Sequence, residues 1–258
     1  MANTASPSES VAPRHWPEYL MEGALLGLFM ISAGVVGVLL EHPDSTFRKV
    51  LASPDLRRAL GGVAMGLTAI ALIHSPWGKQ SGAHFNPAVT INFWRLGKMR
   101  GADAAGYLVG QFTGGVLGIV GARWLMGTAL ADPAVNWVAT VPGATGFAAA
   151  AIGEFTIAFL HILAILFISN HPRMAPYTGW FAGLLVATWI TFEGPFSGMS
   201  MNPARTFASA LPGNIWTGWW IYFTAPVLGM LTAGFVFGAL RAQRPVSSLA
   251  LWQPPRAR

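Results

Sequence analysis

Six stretches of this chain, residues 19–40, 59–75, 104–125, 147–168, 177–192 and 219–240, are long, apolar and almost free of charge. Most of them approach the ~20 residues that a helix needs to cross ~30 Å of hydrocarbon. Only 10% of the 258 residues are charged and 53% are hydrophobic, whereas a soluble domain carries ~25% charged residues to cover its surface. The expected class is an all-α membrane protein with six transmembrane helices.

The ends read differently. Residues 1–17, polar and rich in Ser and Pro, have no basic region ahead of an apolar core. They are expected to form a short flexible tail rather than a signal peptide. Residues 241–258 read as a second tail, basic in character. The formal charge of +6 is spread between the spans rather than gathered in one patch. It therefore points to anionic headgroups of a lipid bilayer and not to nucleic acid.

An even number of spans puts both tails on one side. That side holds Arg14, Lys79, Arg95, Lys98, Arg100, Arg173, Arg241, Arg244, Arg256 and Arg258. The opposite side has Arg48, Lys49, Arg57 and Arg58, which run against the trend. The excess of basic residues still places both termini in the cytoplasm, with the chain multi-pass in the cell membrane (the inner membrane if the source is a bacterium). There is no Cys, so no disulfide is expected and redox compartment is not inferable.

The chain also repeats itself. Glu22 opens the first span of one half and Glu154 the first span of the other. In each half the second span reads as short (59–75 and 177–192), and a Gly/Ser-rich loop and the tripeptide Asn-Pro-Ala follow it. Three spans per half is an odd number, so the halves enter the membrane from opposite faces. Interrupted segments at matching places in such an inverted repeat point to the substrate site. The halves are expected at about 18–140 and 141–240.

The tripeptides, Asn86-Pro87-Ala88 and Asn202-Pro203-Ala204, are helix-start signals. Asn caps a first turn by accepting a backbone N–H, and Pro fits the first helical position, where its missing N–H costs nothing. The runs that follow, 86–95 and 202–211, are too short to span and read as half-helices. Irregular backbone at membrane depth is tolerated only where it is buried in protein or lines a wet cavity. The preceding loops, Gly82-Ala83-His84 and Gly198-Met199-Ser200, are therefore expected to line a pore with backbone. Two helix starts meeting at the midplane each carry roughly +0.5 charge and repel cations. With both Asn oxygens used as caps, the amide groups of Asn86 and Asn202 are expected to be free to donate to a passing water. One such tripeptide in a chain of this length is roughly a one-in-twenty accident at average residue usage, and two at matched places are far rarer.

Taken together, SGAHFNPAVT, MNPARTF and the paired Glu22 and Glu154 resemble the aquaporin family, also called major intrinsic proteins. The resemblance covers roughly residues 18–240 and implies a pore in each subunit of a homotetramer. In that family an Arg and the half-helix dipoles are the established means of excluding protons and cations, and Arg205 matches the Arg. The resemblance implies a narrow filter of Met65, Ile190, Met199 and Arg205, and structural carboxylates at Glu22 and Glu154 that accept bonds from the two loops. His84 reads as a holder of loop geometry with no metal cluster around it. Trp216, Trp219 and Trp220 read as an interfacial belt, and Glu193 is placed at the outer vestibule.

Cargo is left open by the filter. Water-selective relatives usually have an aromatic residue where Met65 stands and a His where Ile190 stands, so both departures favour solutes. Thr206, where glycerol-conducting relatives carry Asp, points the other way, as do Ala210 and Tyr222-Phe223. The leading expectation is a passive channel for water and small uncharged solutes. A facilitator mainly for glycerol or a neutral metalloid acid is the alternative. An ion-coupled transporter would need titratable groups along its path, and Glu22, Glu154 and Glu193 look peripheral. A closed-pore junction protein fits poorly with intact motifs. No nucleophile–base set, metal cluster or phosphate loop suggests an enzyme or a cofactor.

Overall fold

The computed structural model describes residues 15–241, so the tails expected at 1–17 and 241–258 fall almost wholly outside the described residues. Numbering only helices of eight residues or more, the order is α1 (Trp16–Glu41), α2 (Pro54–His74), α3 (Pro87–Arg95), α4 (Gly101–Met126), α5 (Gly146–Ser169), α6 (Thr178–Phe192), α7 (Pro203–Gly213) and α8 (Trp219–Arg241). No strand occurs among the described residues. Helices α1, α2, α4, α5 and α8 are long and apolar enough to cross a membrane, while α6 has only 15 residues. The architecture is six spans and two half-helices, α3 and α7, in an inverted repeat.

Packing follows the repeat. Within the first half α1 lies along α4, within the second α5 lies along α8, and α2 meets α6 across the boundary. Lipid offers no hydrophobic drive for helices to associate, so close backbone approach through small residues must supply the attraction. A Cβ on Gly114 of α4 would stand 2.0 Å from the Gly23 carbonyl of α1. At the α2–α6 crossing, a Cβ on Gly66 would stand 2.5 Å from the Gly183 carbonyl. The outer faces carry Trp124, Phe235 and Leu20, all strongly exposed, as a hydrocarbon solvent allows.

One expected span is corrected. The second span of the first half is not short: α2 has 21 residues. In the sequence the apolar stretch begins only after Arg57 and Arg58, but the helix starts at Pro54, capped by the Ser53 hydroxyl accepting from Leu56 N. Arg57 is buried and forms an ion pair with Glu41 at 3.1 Å, and it donates to the carbonyls of Leu51 and Ala52. Arg58 pairs with Asp55 at 2.7 Å and donates to the Thr191 carbonyl. Both charges that read as a helix boundary thus have partners within the chain, Arg57 in the interior and Arg58 nearer the surface.

The half-helices start where the tripeptides predict. Asn86 Oδ1 accepts from Ala88 N at 2.9 Å, and Asn202 Oδ1 accepts from Ala204 N and Arg205 N at 3.1 and 3.2 Å. Helix α7 runs to Gly213, past the expected 211, and closes on Asn214 in the left-handed region, φ 50°.

Candidate functional site

The two loops that lead into α3 and α7 are built alike. A short helix, Pro76–Ser81 or Gly194–Ser197, ends on a left-handed glycine, Gly82 (φ 91°) or Gly198 (φ 78°). The chain then returns to positive φ at Ala83 and Phe85 in one loop, and at Met199 and Met201 in the other. Non-glycine residues resist this region and persist there only where their surroundings over-determine them.

The paired carboxylates provide that constraint. Glu22 Oε1 accepts from the Ser81 hydroxyl at 2.7 Å and from His84 N at 3.0 Å, and Oε2 accepts from Phe85 N. Glu154 Oε1 accepts from the Ser197 hydroxyl at 2.7 Å and Ser200 N at 2.6 Å, and Oε2 accepts from Met201 N at 2.7 Å. Tyr107 and Tyr222 donate to the carbonyls of Ser81 and Ser197, each at 2.6 Å. His84 Nδ1 lies 3.1 Å from the Thr90 hydroxyl, and Ser200 Oγ lies 2.6 Å from the Thr206 hydroxyl. The Ser-Gly and the Thr four residues after each Asn are therefore parts of the same brace.

Between the halves the Asn amides cross over. Asn86 Nδ2 donates to the Met201 carbonyl, and Asn202 Nδ2 donates to the Phe85 carbonyl, both at 2.8 Å. This corrects the expectation of free amides: each Nδ2 carries two hydrogens, and one of them ties the opposite loop. Only the second hydrogen remains for anything in the cavity.

That cavity, about 470 Å³, runs past Arg57 and Arg58 at one end, between the two loops, and on to Thr178 and Gly179 at the other. Met65, Ile190, Met199 and Arg205 all line it, as do Gly82, Ala83, His84, Asn86, Gly198, Ser200 and Asn202. Pro87, Ala88, Pro203 and Ala204 are buried behind the wall, where they shape the helix starts. Arg205 Nη1 is buried with no hydrogen-bond partner among the described residues.

Glu193 is the other correction. It is not among the residues lining the cavity; it is buried, and its Oε2 lies 2.8 Å from Ser197 Oγ. It braces the second loop from beside Glu154. Trp216, Trp219 and Trp220 are each partly exposed.

Sequence reasoning missed Gln111, which donates to Glu22 at 2.8 Å and to Thr90 at 3.0 Å. It also missed His161, which lines the cavity from α5. A polar residue inside an apolar span was the available signal for both. Among the described residues no group of three or more His, Asp or Glu is placed to hold a metal.

Comparison with known proteins agrees with this geometry. Residues 13–237 match the family Major intrinsic protein. The chain is 33% identical over 193 residues to "Probable aquaporin NIP-type" of Nicotiana alata, covering 73% of this chain and 68% of that protein. It is 36% identical over 186 residues to "Probable aquaporin AqpM" of Archaeoglobus fulgidus, covering 69% and 75%. The fold is similar to that of the aquaglyceroporin from Plasmodium falciparum, with a TM-score of 0.72 at 17% identity over 88% of this chain and 97% of that one.

Proposed function

The chain belongs to the major intrinsic protein family, and from that premise we propose that it is a passive membrane channel for water and small uncharged solutes that rejects protons and ions. The observation that carries this is the crossed pair of bonds from Asn86 to Met201 and from Asn202 to Phe85. It sets two helix N-termini face to face at a cavity, and their partial positive charges disfavour any cation between them. The remaining hydrogen on each amide donates to a passing water and turns its oxygen toward the junction, which interrupts proton hopping.

We assign Met65, Ile190, Met199 and Arg205 as the narrow filter. Their shared place on the cavity wall supports this. Backbone of the 82–84 and 198–200 segments then serves as the polar rail on either side. The channel domain is taken as 18–240, with both termini cytoplasmic and four copies per assembly. The family resemblance and the loop charges support these finer points.

One observation favours a second reading, in which glycerol or a neutral metalloid acid is the main cargo. Arg205 lines the same cavity as the apolar side chains of Met65, Ile190 and Met199, a combination that suits a molecule with one polar edge and one carbon face. Stopped-flow light scattering of proteoliposomes tests both readings. Sucrose shock reports water and glycerol shock reports solute. A protein that raises neither flux above that of empty vesicles is not the proposed channel.

A further inference from the structure

Beyond the loops and the filter, one titratable side chain faces the cavity and has no task so far. His161 sits on α5 seven positions past Glu154. At 1.5 Å per residue it lies about 10 Å further along the axis than the carboxylate that braces the Asn junction. Its ring is nine-tenths buried yet lines the cavity, and its Nδ1 is buried with no hydrogen-bond partner among the described residues. Apolar side chains, among them Ile162, Ile165, Val186 and Met230, line the same cavity.

A buried polar atom without a partner is costly and calls for an explanation. An apolar constriction, for its part, empties of water and blocks flow. The two facts answer each other if the missing partner is the cargo. We propose that His161 is a second hydrogen-bonding station of the pore, on the α6 N-terminal side of the Asn junction, for neutral hydroxyl-bearing molecules. A neutral imidazole has one donor and one acceptor, so it serves a hydroxyl in either orientation, whereas Arg205 only donates. It adds a side-chain partner to the 82–84 backbone and lets cargo exchange partners between the junction and the exit.

This rests on the channel reading above, and the test separates the two. Full-length protein is reconstituted in vesicles and challenged with sucrose, and water flux is normalised to protein content at several temperatures. His161→Leu, close in volume but without hydrogen bonds, is expected to lower water permeability about three- to tenfold and to raise the activation energy of flux. His161→Gln, which restores a donor and an acceptor, is expected to keep at least about half of the parent's flux. A folded His161→Leu protein with the parent's flux and activation energy overturns the inference while the channel reading stands. No flux from the parent overturns both. Should His161→Leu fail to fold, His161→Met removes the same bonds and must show the same fall.

Discussion

The first and second re-entrant loops reach the same shape with different chemistry. Both turn through left-handed glycines and hang on a buried carboxylate, yet the brace behind each carboxylate differs. Four residues after Tyr107 stands Gln111, whose amide donates to Glu22 and Thr90. Four residues after Tyr222 stands Pro226 inside α8, with no donor to offer. The second loop instead has Glu193, a second carboxyl group against the same Ser197 hydroxyl. The half-helices differ as well: the residue three past Asn86 is Val89, and three past Asn202 it is Arg205. One loop is built as a quiet structural mate and the other carries the charge. Geometry in this repeat is shared, while the charged residue three places past the Asn stands in one half.

The largest effect expected is loss of the fold itself. Replacing Glu22 or Glu154 with Ala removes three or more hydrogen bonds, two of them from loop backbone N–H groups, and each buried donor left unsatisfied costs about 1–3 kcal/mol. Neither variant is expected to yield monodisperse protein in detergent, and size-exclusion chromatography checks this. If one variant folds and the other does not, the two loops are less alike than their bonds suggest.

Making the half-helices alike is the next test. Arg205→Val copies the first half into the second and removes a fixed charge from a low-dielectric constriction, where it repels cations strongly. Proton leak, read with a pH-sensitive dye inside vesicles, is expected to rise at least about tenfold while water flux persists. An unchanged leak would mean that the paired helix starts suffice.

Ile190→His sharpens the asymmetry from the filter side. It adds a donor–acceptor to the wall shared with Arg205 and narrows the opening. Single contacts of this kind discriminate by about 1–3 kcal/mol. The glycerol-to-water permeability ratio is expected to fall about tenfold. A parent that conducts glycerol and a mutant with the same ratio would remove Ile190 from the filter.

The smallest effect is at Glu193. Ser197 has one hydroxyl proton for two carboxyl groups, and Glu193 Oε1 is buried with no partner among the described residues. Glu193→Gln turns this brace into a neutral amide like that of Gln111 and lets it donate to Ser197. Thermal unfolding in detergent is expected to shift upward by a few degrees, about 1 kcal/mol. A fall of that size would show the second carboxyl to be a needed part of the brace.

The amino-acid sequence by itself determined the solvent, the class and the places where helices begin. Uncharged runs near the length of a bilayer admit few alternatives, and Asn-Pro-Ala is a local start signal that needs no distant partner. It also marked Arg205, because a charge at membrane depth is rare enough to stand out. What it did not show depended on pairing across the chain. The length of α2 was hidden because Arg57 and Arg58 look like a boundary until Glu41, Asp55 and the Thr191 carbonyl are brought beside them. The Asn amides looked free because their acceptors, the carbonyls of Met201 and Phe85, lie more than a hundred residues away in the chain. Glu193 and His161 were both polar residues within or beside apolar helices. Only the tertiary structure turned one inward to a brace and the other toward the cavity, because the rotation of a buried helix is set by what packs around it.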